Sequence, residues 1–250
     1  MCTVTYFPIE KGYILTHNRD EQPLRSPKSL TIIKHQTNTI IFPKDQQSNG
    51  TWIFINSKGW SACLLNGAFE NHKKQSSYRM SRGQILLSLA QSKNINEWLN
   101  AQCLEKIEPF TLILCSGNDL MELIWDGAHK HIRSLDIEIP MIWSSATLYT
   151  PKVKEERKHI FYQWIENIKD FDPVAWMNKF HAVGSIGDHK NNIHMFRQDG
   201  PRTISTTQIV SFNGISKLIY HDVLNDHISE ARLIQNRQFS ENSVAFNAQL

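Results

Sequence analysis

The feature that most constrains this chain is a pair of strand-forming runs at its start, Thr3 to Phe7 and Tyr13 to Arg19, joined by Glu10-Lys11-Gly12. β-Branched and aromatic residues crowd both runs, and a turn carrying glycine between them predicts an antiparallel hairpin. That register returns Arg19 and Asp20 toward Cys2, the residue after the initiator methionine. Small residues in second place are the usual substrates of methionine removal, so Cys2 is expected to become the N-terminus, carrying a thiol and a free α-amine. An α-amine titrates at about 7.7–8.0 and serves as a base beside the thiol near neutrality. A guanidinium nearby favours the thiolate, and a carboxylate favours the ammonium. Neighbouring strand residues face opposite sides, so a regular strand turns only one of Arg19 and Asp20 toward Cys2.

The rest of the first 66 residues continues as β structure. Strands are expected at Leu30 to Ile33, Thr39 to Phe42, Thr51 to Ile55 and Trp60 to Leu65, after a proline-bounded loop at Gln22 to Pro27. The character then changes. Ser81 reads as the N-cap of a helix through Leu89, and a second helix follows at Ile95 to Gln102. Phe110 to Cys115, Leu120 to Trp125, His129 to Ser134 and Met141 to Ser144 read as strands, with Asp126-Gly127 as a hairpin signal. Pro151 opens a helix striped by Ile160, Phe161, Trp164, Ile165 and Ile168, and Pro173 to Phe180 adds another. Ile193 to Phe196, Thr203 to Ser211 and Ile215 to Tyr220 close the chain as strands, and an Asn-, Gln- and Ser-rich tail after Leu233 is expected to be loosely held. This order is α+β, with two face-to-face sheets and helices outside as its simplest layering. No composition break divides residues 1–250, so one domain is expected.

Composition narrows the function classes. With 20% charged residues, a formal net charge of +3 and no long basic run, the chain offers nucleic acid little footprint. No apolar run reaches membrane-span length, and no basic start followed by an apolar core marks a signal peptide. Four cysteines, at 2, 63, 103 and 115, lack paired spacing, which fits free thiols in a reducing cytoplasm. Cys63, Cys103 and Cys115 read as buried structural thiols. His129 and His131 share a strand face, and His181, His189 and His194 cluster in sequence. None has a zinc-ligand spacing, so neither metal nor cofactor is expected.

An initial Met-Cys, the run Asn18-Arg19-Asp20-Glu21, then Gly50-Thr51-Trp52 and Gly59-Trp60-Ser61-Ala62-Cys63-Leu64-Leu65-Asn66 together resemble the NRDE family, also called Transport and Golgi organisation 2. Ser81-Arg82-Gly83, the 144–151 region and Thr203-Ile204-Ser205-Thr206-Thr207 extend the likeness more thinly. Members resemble cysteine N-terminal-nucleophile hydrolases, the superfamily of choloylglycine hydrolases and penicillin V acylases. The resemblance implies a four-layer αββα sandwich and hydrolysis or transfer at a linear amide or acyl bond of a small molecule. Cys2 would be the nucleophile, Arg19 and Asp20 its tuning pair, and Asn66 the oxyanion donor. Asn18, Ser145 and Arg202 would contact substrate. Two departures bear on this. Related proteins carry Ser-Asn where Ser144-Ser145 stands, and in choloylglycine hydrolases the acid lies three residues after the arginine, where Gln22 stands. The resemblance also supports a rival of a different class, a non-catalytic carrier of haem or an acyl or lipid ligand on the same fold, because eukaryotic relatives are associated with haem and lipid handling.

Overall fold

The computed structural model describes residues 2–23, 27, 29–168 and 172–235. The expected hairpin forms β1 (Cys2–Ile9) and β2 (Gly12–Glu21), paired antiparallel with Cys2 opposite Arg19. Next come β3 (Leu30–Lys34), β4 (Thr39–Pro43), β5 (Ile53–Asn56) and β6 (Ser61–Asn66). Helices α1 (Arg82–Gln91) and α2 (Ile95–Ala101) follow, then β7 (Phe110–Cys115), β8 (Leu120–Trp125), β9 (Lys130–Leu135) and β10 (Met141–Ser144). The chain continues through α3 (Pro151–Glu166), α4 (Pro173–Val183), β11 (Arg202–Phe212), β12 (Ile215–Asp222) and β13 (His227–Ile234).

Two antiparallel sheets result. One runs β10-β1-β2-β11-β12-β13, and the other is the meander β3-β4-β5-β6-β7-β8-β9. Alternation sorts their side chains into layers. Cys2, Val4, Tyr6, Tyr13 and Leu15 of the first sheet meet Ile53, Ile55, Cys63, Leu65 and Ile113 of the second in a middle core. The outer face of the second sheet, with Phe54, Ala62, Leu112 and Leu114, packs on Ile85, Leu86 and Leu89 of α1 and Trp98 of α2. Ile14, on the opposite side of β2 from Leu15, packs with Phe161 of α3 and Phe180 of α4. The fold is therefore an αββα sandwich. No helix among the described residues is long and apolar enough to cross a membrane.

The helix ends follow local chemistry. Ser81 caps α1 in a reciprocal pair with Gln84, and Thr150 caps α3 ahead of Pro151. Two expectations are corrected, and one strand was not anticipated. Ile193 to Phe196 is not a strand. Ile193 and Met195 are fully buried, but their backbone groups bond outside any strand ladder, Ile193 N–H to the Gly184 carbonyl and the Met195 carbonyl to Thr203 N–H. β13 went unforeseen because it is an edge strand whose inward positions are only Ser229, Ala231 and Leu233. Cys103 is exposed, whereas Cys63 and Cys115 are buried as expected. Of the tail expected to be loose, Ile234 ends β13, and Gln235 donates to the hydroxyls of Ser211 and Ser216; the remainder lies outside the described residues.

Candidate active site

A cavity of about 600 Å³ opens at the end of the sandwich where β1 begins and β2 and β6 finish. Cys2, Arg19 and Asn66 all line it. Pairing in the hairpin puts Cys2 directly opposite Arg19 on the same sheet face, as period two requires. Cys2 is 3% exposed. Burial pushes its thiol up from the ordinary range. Asp20 adds to the rise and Arg19 opposes it. Burial therefore outweighs the arginine, and the resting group is a thiol that needs a base.

Arg19 takes Asp45, not Asp20, as its carboxylate partner, and its guanidinium stacks over the Trp52 ring at 4.0 Å. Asp45 is aimed by its own loop, where its second oxygen accepts the amide hydrogens of Gln47 and Ser48. Asp20 is turned to the helix side. Its carboxylate accepts the Thr203 hydroxyl at 2.7 Å and the Tyr149 hydroxyl at 2.9 Å, and the residue is fully buried. Burial raises its pKa; the Arg157 charge and these two hydroxyls oppose the rise. Asn18 shares that face. Its amide donates to the carbonyls of His181 and Ile193 and accepts the Thr206 hydroxyl, so it fastens α4 and the following loop to β2.

Ser145 does not line the cavity, but it ties two of its walls together. Its amide N–H donates to the Cys2 carbonyl at 3.0 Å, and its hydroxyl donates to the Asn66 carbonyl at 2.7 Å. Behind it, the fully buried Arg157 of α3 donates to Thr3 and Ser144, which face each other across β1 and β10. Asn66 is half-buried at the end of β6, and Gly67 follows at a φ of +86°. Arg202 pairs in register with Glu21, sits 5.8 Å from the Phe196 ring and lies outside the cavity lining.

Several cavity residues carried no sequence-based assignment. Asp45, His72, Arg82 and Glu108 come from loops and a helix start, where no periodicity marks them. Arg82 had a signal in the Ser81-Arg82-Gly83 run. Gly83 lies so close to Gly50 that a methyl group on Gly50 would sit 2.5 Å from the Gly83 carbonyl carbon. Thr51 N–H then donates to the Gly83 carbonyl. This contact fixes the first turn of α1 against the segment that carries Trp52. His17, on the cavity side of β2, is fully buried, and its Nε2 donates to the Leu64 carbonyl at 3.4 Å. Burial drives its pKa down to about 3, against the opposing pull of that hydrogen bond, so it is a neutral imidazole.

The family model described as Transport and Golgi organisation 2 matches residues 1–208. No curated protein matches the chain at a significant level. Among solved structures, a cysteine-to-alanine mutant of conjugated bile acid hydrolase from Clostridium perfringens is similar with a TM-score of 0.50 and 11% identity, over 91% of this chain and 92% of that one. An arginine-to-leucine variant of the same enzyme gives 0.52 and 12%, over 92% of each chain. The Caenorhabditis elegans ortholog of N-acylethanolamine-hydrolyzing acid amidase gives 0.53 and 9%, over 84% of this chain and 92% of that one. At these identities the likeness establishes the fold, which is that of N-terminal-nucleophile hydrolases.

Proposed function

The chain belongs to the Transport and Golgi organisation 2 family, and from that premise we propose that it is an N-terminal-cysteine hydrolase or acyltransferase acting on a linear amide or acyl bond of a small molecule. The observation that carries this reading is the convergence of Cys2, Arg19 and Asn66 on one cavity. Removal of Met1 frees the Cys2 α-amine. That amine takes the thiol proton as sulfur attacks the substrate carbonyl, forming the S–C bond. The Asn66 side-chain amide stabilises the oxyanion. The C–N bond then breaks as the ammonium returns a proton to the leaving amine. Water, or an acceptor amine, cleaves the thioester and regenerates the thiol. Arg19, clamped by Asp45 and Trp52, supplies positive charge beside the sulfur. Ser145 holds the nucleophile's backbone against that of the oxyanion residue.

A second reading, a carrier of haem or an acyl or lipid ligand, draws on one observation: burial raises the Cys2 thiol, which weakens it as a resting nucleophile. The two readings part at the sulfur. A panel of acyl amides, acyl-homoserine lactones and acyl thioesters is expected to include a slowly turned-over compound. Cys2→Ala should abolish that turnover with the fold intact, and Asn66→Ala should slow it by roughly 10²–10³. Turnover unchanged in Cys2→Ala sinks the hydrolase reading. A silent panel, with haem or acyl-chain binding indifferent to that substitution, favours the carrier.

A further inference from the structure

The cavity wall that does not carry Cys2 has its own organised chemistry. Arg82, the first residue of α1, places one guanidinium nitrogen 3.1 Å from Glu108 and donates from another to the Pro109 carbonyl at 3.2 Å. The other Glu108 oxygen meets His72 Nε2 at 3.2 Å. A guanidinium carries five N–H donors, so Arg82 keeps donors beyond these two contacts.

The cavity's carboxylates stand differently. Both Glu108 oxygens are engaged by Arg82 and His72. Both Asp45 oxygens are engaged by Arg19 and by backbone amides. Glu21 accepts the Gln22 amide. On the donor side, Trp52 lines the cavity at 5% exposure, and its indole N–H is buried with no hydrogen-bond partner among the described residues. Lys74 stands on the exposed loop that forms the cavity mouth. Two of the cavity's open donors, on Arg82 and Lys74, are cationic. A buried donor without an acceptor is unfavourable unless a ligand completes it.

We propose that Arg82, held in place by Glu108 and His72 and joined by the Trp52 indole, is the recognition group for an anionic oxygen ligand, a carboxylate or phosphate borne by the compound that meets Cys2. A planar fork suits both anions, which accept two parallel N–H bonds. The Gly50–Gly83 contact makes the arrangement rigid, because it sets the helix start carrying Arg82 against the strand entry carrying Trp52. Arg82 and Cys2 line the same cavity, and the Glu108 carboxylate opposes the fall that burial imposes on the Arg82 pKa. The proposal rests on the Cys2 reading only in taking this cavity as the place where a ligand reaches the thiol; it does not require turnover.

A matched pair of alkylating agents tests it without any substrate. Iodoacetate and iodoacetamide are close in size, and only the first is an anion. Their rates at Cys2 are read by peptide mapping of the whole protein, with thermal melts on each variant as a check on folding. The wild type should favour iodoacetate relative to free cysteine. Arg82→Gln should lower the iodoacetate-to-iodoacetamide ratio about fivefold or more, and Glu108→Gln should raise it, since each removes one charge of opposite sign near the thiol. The ratio is internal to each protein, so a general loss of stability does not mimic it. Protection of Cys2 by acetate in the wild type but not in Arg82→Gln identifies a carboxylate site, and the same behaviour with inorganic phosphate identifies a phosphate site. A ratio unmoved by Arg82→Gln, or a Cys2 that reacts with neither reagent, overturns the proposal. Failure of the acyl panel with a charge-dependent ratio would instead remove hydrolysis and leave anion recognition standing.

Discussion

On one face of β2, Arg19 and Glu21 line the cavity beside Cys2; on the other, Asn18 and Asp20 are buried against the helices and neither lines it. Four consecutive residues are thereby divided between the cavity and the buried frame by strand alternation. The cavity face has its charges arranged by loops, Arg19 by Asp45 and Arg82 by Glu108. The helix face is closed by hydroxyls and carbonyls from β11, α4 and the loops after α4 and β10. The lesson is that a compact motif need not be a compact site. Half of this one is buried in the frame, and the other half faces the cavity.

The contrast can be broken from the helix side. Asp20→Ala should produce the largest loss of stability, about 3–5 kcal/mol in denaturant unfolding, because it leaves the buried Tyr149 and Thr203 hydroxyls without their acceptor and removes the carboxylate that interacts with the buried Arg157 charge. Asn18→Ala should cost about 2–3 kcal/mol through its three hydrogen bonds, with the alkylation rate of Cys2 changed little. A large change in thiol reactivity at unchanged stability, in either variant, would erase the division between the faces. From the cavity side, Arg19→Gln should move the pH profile of Cys2 alkylation up by about one unit, roughly tenfold slower labelling at pH 8.

A smaller effect comes from the histidines, one near each face. His17 and His181 are both buried, and burial holds both pKa values below the ordinary 6.5, His17 at about 3. The unfolded chain therefore binds protons that the native state refuses. Their contribution to stability is complete above the unfolded pKa near 6.5 and is lost as pH falls toward the folded value. His17→Gln should flatten the fall in unfolding free energy between pH 5.5 and 4 by about 1.4 kcal/mol per pH unit. An unchanged slope would mean that His17 is charged in the native state.

How much of this was legible in the sequence follows the range of the interactions. The hairpin register that sets Cys2 opposite Arg19 was readable, because a turn and a two-residue period determine it locally. The same period warned that Arg19 and Asp20 would part. What it did not supply was Asp45 as the partner of Arg19, since a loop aspartate carries no pattern until the fold brings it near. Glu108 and His72 were silent for the same reason. Ile193 and Met195 misled because alternation reports burial, and burial does not require a neighbouring strand. β13 was missed for the converse reason, since an edge strand with one modest inward face pairs through its backbone and leaves little side-chain signal.

The central claim is that Cys2 carries covalent chemistry from the N-terminus, and mass spectrometry of protein from its native host tests it most directly. The intact chain should lack Met1. Brief incubation with an acyl thioester, followed by acid quench and peptide mapping, should then place one acyl group on the peptide that begins at Cys2, and none in Cys2→Ala. Retention of Met1 in most molecules, or acylation at the exposed Cys103 in place of Cys2, would contradict the account.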